Sequence, residues 1–166
     1  MIRGSVRLSS HRSSLIGIRG NRVTTRSKLY FGRPINVMGS NLDVLLAGII
    51  TACFPDWEIE DPSLPEHAAG YEKWKKEHGN GMEYYRQEVL PYCRGGIFLC
   101  FRDGTWGAGT YTEAKFFVEH GLPVWVISPK GRIRGCSPTE FQQEHLLSIE
   151  ETRTRIRDEQ GNLTAY

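Results

Sequence analysis

The stretch that decides the fold runs from Gly96 to Glu113 and reads GIFLCFRDGTWGAGTYTE. Its first part, Ile97 to Phe101, is apolar and rich in β-forming residues, which is typical of a strand buried on both faces. Glycines then follow at positions 104, 107 and 109, and a helical pattern extends from Glu113 to His120, where Gly121 ends it. A strand, a glycine-rich loop and a helix in this order predict a ligand site at the carboxyl end of the strand, because the start of the helix directs free N–H groups there.

Strands alternate with helices along the rest of the chain. Lys28 to Phe31 is a short β-rich run, and from Ser40 to Phe54 apolar residues recur with helical spacing, with Ser40 or Asn41 as the N-cap and Pro55 as the stop. The alternation predicts an α/β fold, a doubly wound, flavodoxin- or Rossmann-like sheet of five parallel strands with helices on both faces and a C-terminal hairpin. The predicted strands are 28–31, 57–60 (at an edge), 97–101, 123–127 and the tail 147–156, and the predicted helices are 40–54, 82–92, 113–120 and 137–145.

Residues 61–81 interrupt this alternation. They are rich in proline, glycine, histidine and charge, and they are longer than an ordinary connection between a strand and a helix, so we expect a loop or lid. Aromatic residues are interleaved in and just after this segment, at Tyr71, Trp74, Tyr84 and Tyr85. They either pack the lid onto the domain or stack on a planar ligand.

The charge of the chain is unevenly distributed. Residues 1–28 hold seven basic residues and no acidic one, whereas the remainder holds 14 basic and 19 acidic residues, a net charge of −5. The mildly acidic remainder argues against nucleic acid as a partner, and no apolar run reaches the ~18 residues that a membrane span needs. We therefore expect one soluble domain, residues 28–166, in the cytoplasm.

The basic arm, residues 1–27, has the composition of a mitochondrial transit peptide, which would place the protein in mitochondria. A disordered arm, or translated sequence upstream of the true start, would explain the same composition.

The four cysteines form no CxxC motif, and no two histidines have the spacing of metal ligands. We expect reduced thiols, no metal site and no cofactor.

Glu113 is the principal candidate for catalysis. With Thr110 it forms the pattern of a capping box, in which the glutamate only closes the start of a helix. The glycines before it, however, allow a ligand to approach the backbone closely. A carboxylate at the start of a helix is also kept ionised by the helix dipole, and a carboxylate nucleophile requires that.

The chain also resembles the nucleoside 2-deoxyribosyltransferase family. The resemblance rests on Tyr30-Phe31-Gly32 closing the first strand, on Gly109 to Ala114 opening a helix, and on Gly121 to Val124 leading into the next strand. It implies a flavodoxin-like fold, a homo-oligomer, a role in nucleoside metabolism, and cleavage of the N-glycosidic bond of 2-deoxynucleosides.

The resemblance also implies roles for individual residues. Glu113 matches the nucleophilic glutamate that forms a covalent glycosyl ester, and Tyr30 matches the tyrosine that holds it. Asp103 lies where an acid assists the departing base, and Glu88 lies where an aspartate recognises the nucleoside. Tyr166, an aromatic C-terminus, is compatible with a chain end that completes the site of a neighbouring subunit.

A second resemblance concerns Gly107, Gly109, Thr110 and Glu113, which are similar to the GGxGTxxE motif of nucleotide phosphoribohydrolases. In those enzymes the glycines and the threonine hold a 5′-phosphate. The substrate is therefore open between a nucleoside and a nucleoside 5′-monophosphate. Further contacts to the substrate are expected from the loops around Gly32, Arg33 and Trp106, and Arg33 or Arg102 could supply the charge that a phosphate needs.

Two other functions remain open. One is a nucleotide-binding or sensing module that has this fold without turnover, which carboxylates facing solvent, or walled off by Trp106, would favour. The other, a flavin-binding domain, is disfavoured because residues 32–36 lack the Ser/Thr-rich run that would hold a flavin phosphate.

Overall fold

The computed structural model describes residues 26–166. The expectations for the basic arm therefore lie outside the described residues, except that Ser27 belongs to the first strand. The strands are β1 (Ser27–Gly32), β2 (Trp57–Glu60), β3 (Cys93–Leu99), β4 (Val124–Ile127) and β5 (Ile133–Gly135). The helices are α1 (Asn41–Cys53), α2 (Pro65–His78), α3 (Met82–Tyr84), α4 (Ala108–Glu119), α5 (Pro138–Phe141) and α6 (Ile149–Ile156).

The five strands form one sheet in the order β2-β1-β3-β4-β5. The first four are parallel, and β5 runs antiparallel to β4. The α/β class and the five-stranded sheet are thus confirmed, whereas the prediction that all strands are parallel is wrong. The reason is the short turn from Ser128 to Arg132, which has Gly131 at a φ of +78°: so short a connection joins only antiparallel neighbours.

Two hydrophobic clusters lie on opposite faces of the sheet. Leu29 and Phe31 of β1 face α1, where Leu46 and Ile50 cover them. Tyr30 belongs to the other cluster, with Phe98 of β3 and Phe117 of α4. Alternate residues of β1 therefore face different hydrophobic clusters. Positions 30 and 32 lie on the face of the sheet that α4 covers.

Helix α1 follows its sequence signals closely. The Ser40 hydroxyl accepts a hydrogen bond from the Asp43 amide at 3.2 Å, and the helix ends just before Phe54 and Pro55. The predicted N-cap and stop are confirmed.

Helix α4 starts five residues before its predicted start at Glu113. Gly107 is its N-cap, and the Ala108 amide donates to the Thr152 hydroxyl at 2.9 Å. This cap comes from a helix more than forty residues away, so the local pattern could not indicate it. The predicted stop at Gly121, which has a φ of +65°, is confirmed.

The predicted loop at residues 61–81 is mostly the helix α2. Pro65 occupies its first turn, and Gly79, at a φ of +76°, ends it. The following segment is helical, as predicted for residues 82–92, but it is irregular. After α3 it widens into a π-helical turn (Tyr85–Val89) and then tightens into a 3-10 turn (Leu90–Tyr92).

The tail also differs from its prediction. Residues 147–156, predicted as a strand, contain helix α6, which opens with a capping box between Ser148 and Glu151. The capping box at Ser137 and Glu140 is confirmed, but α5 ends at Phe141 rather than near His145. The C-terminal hairpin is reduced to one antiparallel bridge, between Arg157 and Leu163. Among the described helices, none combines the length and the apolar character that crossing a membrane requires.

Candidate active site

The Glu113 carboxyl group lies against the carboxyl end of β1. Its Oε2 atom is 3.1 Å from the place that a β-carbon at Gly32 would occupy, and such a β-carbon would also lie 2.4 Å from the Phe98 ring. A glycine is therefore needed at position 32 for the half-buried carboxyl group to approach the strand. Thr110 lies inside the first turn of α4 and donates to the Gly107 carbonyl at 3.0 Å, so the capping box of Thr110 and Glu113 is wrong.

Tyr30 is brought together with Glu113, as the resemblance implies. Its side chain is fully buried on the same face of β1 as Gly32. Its hydroxyl is adjacent to the carboxyl group, but among residues 26–166 it has no hydrogen bond of standard geometry. Burial, and then the nearby negative charge of Glu113, raise the pKa of Tyr30 well above its usual value. The buried hydroxyl therefore lies where it can donate to the Glu113 carboxylate or to a ligand.

Burial raises the pKa of Glu113 to about 7, although the Tyr30 hydroxyl and the Arg33 charge both act to lower it. The expectation that the helix dipole keeps this carboxylate ionised is wrong, because Glu113 lies in the second turn of α4 rather than at its start. Near neutral pH the group can therefore accept or release a proton, as well as act as a nucleophile.

Arg33 is a buried cation close to this site. Its guanidinium group contacts the Asp43 carboxylate at 2.5 Å and the Asp61 carboxylate at 2.9 Å, and it lies over the Phe31 ring at 4.6 Å. Two carboxylates therefore satisfy the cation that we expected to hold a phosphate. The predicted role of Arg33 as a phosphate ligand has little support from this geometry.

Two further residues belong to the site and were not among the predicted site residues. Tyr85, in the π-helical turn, donates to the Pro62 carbonyl at 3.3 Å, and its ring lies 6.2 Å from that of Tyr71. Burial, and next the charge of Glu113, raise the pKa of Tyr85 to about 12. Asp61 is near enough to Tyr85 to contribute to that shift. The cluster of aromatic residues in this segment was the sequence feature that could have indicated Tyr85. No local sequence pattern, however, predicts the π-helical turn that directs Tyr85 inward.

Asp103 lies apart from this site, in an exposed turn after β3. Its carboxylate accepts hydrogen bonds from the Thr105 amide at 3.1 Å, from the Thr105 hydroxyl at 2.7 Å, and from Arg155 at 2.7 Å. The Thr105 hydroxyl, followed by Arg155, lowers the pKa of Asp103 to about 2. At neutral pH it is a carboxylate facing solvent and has no proton to donate to a departing base.

Trp106 and Gly107, which were also predicted to contact the substrate, pack inside the fold. Trp106 is fully buried, edge-on to Tyr111 and Phe141. Gly107 is buried, and a β-carbon there would lie 3.2 Å from the Thr152 methyl group. These two residues join α4 to α5 and α6 and do not line an open crevice.

Glu88 is exposed on the π-helical turn, and Gly109 is half-buried in the first turn of α4. The role of Glu88 in recognising the nucleoside stays a prediction.

Tyr166 contacts its own chain at the end of β3. Its hydroxyl donates to the Cys100 carbonyl, and its ring stacks on Phe101. Arg102 lies over the ring at 5.0 Å and donates to the terminal Tyr166 oxygen at 3.1 Å. Both Tyr166 and Arg102 are thus engaged within one chain.

Within residues 26–166 no three histidine, cysteine, aspartate or glutamate side chains are grouped so that they could hold a metal. The four cysteines are free thiols. Two open depressions of about 520 and 500 Å³ lie at the amino-terminal edge of the sheet, away from Glu113. Neither depression is lined by Glu113 or Tyr30, whereas Tyr85 of the π-helical turn lies near the Glu113 carboxyl group.

No family model, curated protein or solved structure matches this chain. A function is therefore indicated by the geometry of Glu113, Tyr30 and Arg33.

Proposed function

We propose that the protein cleaves or transfers the N-glycosidic bond of a nucleoside, with Glu113 as the nucleophile. The observation that carries the proposal is the meeting of the Glu113 carboxyl group with the buried Tyr30 hydroxyl near the glycine that ends β1. This is the edge of the sheet where α/β proteins bind ligands. The resemblance to nucleoside 2-deoxyribosyltransferases assigns the same two residues the same two roles.

The reaction proceeds by double displacement. A Glu113 oxygen attacks C1′ of the sugar, the C1′–N bond breaks, and the electron pair leaves with the base, which takes up a proton from solvent. Water or a second base then attacks C1′ of the glycosyl ester and gives a proton to solvent, and the bond from C1′ to the Glu113 carboxylate breaks. Attack by water gives hydrolysis, and attack by a second base gives transfer. The Tyr30 hydroxyl donates to the carboxylate and favours its ionised form.

The charges around the site favour a neutral nucleoside over a 5′-monophosphate. Arg33 is neutralised by Asp43 and Asp61, and Glu113 adds a third carboxylate when it ionises. A phosphate dianion would be repelled by this group.

A binding or sensing module is the second candidate. The position of Asp103 favours it, because a solvent-facing carboxylate leaves the site without the acid that the resemblance implies. This candidate predicts that a nucleoside binds and raises the melting temperature, with no release of base.

The test is a panel of 2′-deoxynucleosides, the matching ribonucleosides and their 5′-monophosphates, each with and without a second free base. Released and exchanged bases are followed by chromatography for wild type, Glu113→Gln and Glu119→Gln. Glu119 is the control because it is exposed on the same helix and pairs with the exposed Lys115.

We expect neutral nucleosides to be turned over by wild type and by Glu119→Gln, with a loss of at least 10³-fold in Glu113→Gln. Base exchange would identify a transferase, and release without exchange a hydrolase. Turnover of monophosphates alone would contradict the substrate class, and full activity of Glu113→Gln would exclude the nucleophile.

A further inference from the structure

A basic groove runs along the amino-terminal edge of the sheet, at the opposite end from Glu113. It consists of two adjoining depressions, of about 520 and 500 Å³, that share Arg94. The basic side chains that line the groove are Arg26, Lys28, Arg86 and Arg94, and His120 lies beside them. Among the described residues that line it, none is acidic. The groove is therefore a concave surface of one sign of charge, which attracts anions.

Two of these cations are available to a ligand. Arg94 is exposed, and within the described part of the chain its guanidinium group has no ion pair or hydrogen bond. Arg86 pairs with Glu83 at 3.8 Å on an exposed surface, and such a pair contributes little energy. Lys28 differs from them because it pairs with the buried Glu60 carboxylate.

Apolar side chains also line the larger depression. They include Phe116 and Leu122, and the His120 ring stacks on Phe116 with 4.1 Å between the ring centroids. The His120 Nδ1 atom lies 2.7 Å from the Phe116 carbonyl, so this nitrogen carries the hydrogen and donates it. The Nε2 atom is left for an acceptor or donor from outside. Two guanidinium groups beside apolar side chains fit a phosphate that is attached to an organic body.

We propose that the basic groove binds an organic phosphate. A mononucleotide and the phosphodiester backbone of a short oligonucleotide share this chemistry. An independent observation from the sequence supports an anionic ligand: the chain reaches the groove at Arg26, and residues 1–25 contain five more arginines and no acidic residue. The proposal does not depend on catalysis at Glu113.

Binding to the full chain is measured by calorimetry with AMP and by fluorescence anisotropy with a labelled ten-residue oligothymidylate. The decisive variant is Arg86→Gln/Arg94→Gln, and the matched control is Arg132→Gln, an exposed arginine beyond the other end of β4. Glu113→Gln is included because it separates the groove from the candidate active site.

We expect the double variant to bind at least about tenfold more weakly, since each lost guanidinium removes a charge-assisted contact. Arg132→Gln and Glu113→Gln should bind as wild type does. Binding of both probes identifies a mononucleotide site, and binding of the oligonucleotide alone identifies a backbone site. The proposal is overturned if neither probe binds with a Kd below about 1 mM, or if binding is unchanged in the double variant.

Discussion

At the scale of single residues, the Glu113 carboxyl group costs the folded state free energy at neutral pH. Burial raises its pKa to about 7 in the folded chain, whereas the ordinary value for glutamate is 4.5. Between these two values the folded protein holds a proton that the unfolded chain has released, so stability falls as the pH rises from about 4.5 to 7. Carboxyl groups whose pKa is raised in this way cluster at functional sites.

The first prediction concerns the stability of Glu113→Gln. The amide cannot ionise, so at pH 8 this variant should be about 1–3 kcal/mol more stable than wild type, and the difference should vanish below pH 4. Urea unfolding at several pH values measures it, with Glu119→Gln as a control that should show no such trend. A structural glutamate would give the opposite sign, and lower stability at pH 8 would contradict the assignment.

The second prediction concerns Tyr30→Phe. The Tyr30 hydroxyl lowers the pKa of Glu113, so its removal should raise that pKa and move the ascending limb of the kcat/KM profile from near pH 7 to higher pH. If the loss of the hydroxyl makes Glu113 a tenfold weaker acid, roughly a tenth of the Glu113 carboxyl groups are ionised at pH 7. A lower kcat/KM at every pH, with the limb unmoved, would mean that Tyr30 only shapes the site.

At the scale of elements, local signals predicted what local contacts determine. Helix α1 has its cap, its apolar spacing and its stop within its own residues, and its bounds were predictable. The start of α4 depends on Thr152 and the direction of Tyr85 on a π-helical turn, and neither leaves a local pattern. The sequence therefore indicated the pair Glu113 and Tyr30, but it gave no sign of Tyr85. Arg33 and Asp103 were predicted to contact the substrate, whereas in the structure other side chains of the chain bind them.

The third prediction tests the cap that α6 supplies to α4. Thr152→Val keeps the shape of the side chain but removes the acceptor of the Ala108 amide, so the free energy of unfolding should fall by ~1 kcal/mol. Because Glu113 is in the second turn of α4, kcat/KM should fall as well. Thr154→Val is the control, since the Thr154 hydroxyl donates to the Glu151 carbonyl within α6 itself. Equal losses in both variants would show that the cap has no special role.

At the scale of the whole molecule, the parallel strands separate two chemically different ends. The carboxyl ends of β1 and β3 hold the Glu113 site and the docked C-terminus, and the amino ends hold the basic groove. The tail joins the carboxyl end at two places: Thr164 lies 3.5 Å from Asn36 after β1, and Tyr166 packs on Phe101 after β3. The last residue is thus part of one chain's own fold, whereas the resemblance implies a role in a neighbouring subunit.

The fourth prediction separates these two roles of Tyr166. If its main role is in its own chain, Tyr166→Ala should lower the free energy of unfolding by about 1–3 kcal/mol, because it exposes Phe101 and frees the Cys100 carbonyl. Tyr166→Phe should lose only the hydrogen bond, ~1 kcal/mol, and Tyr92→Ala, which alters a side chain that is 69% exposed, should change little. Urea unfolding and kcat/KM are measured on the same samples. Unchanged stability with lost turnover in Tyr166→Ala would instead assign the tail to a partner's site, because a contact made only between subunits contributes nothing to the unfolding of a single chain.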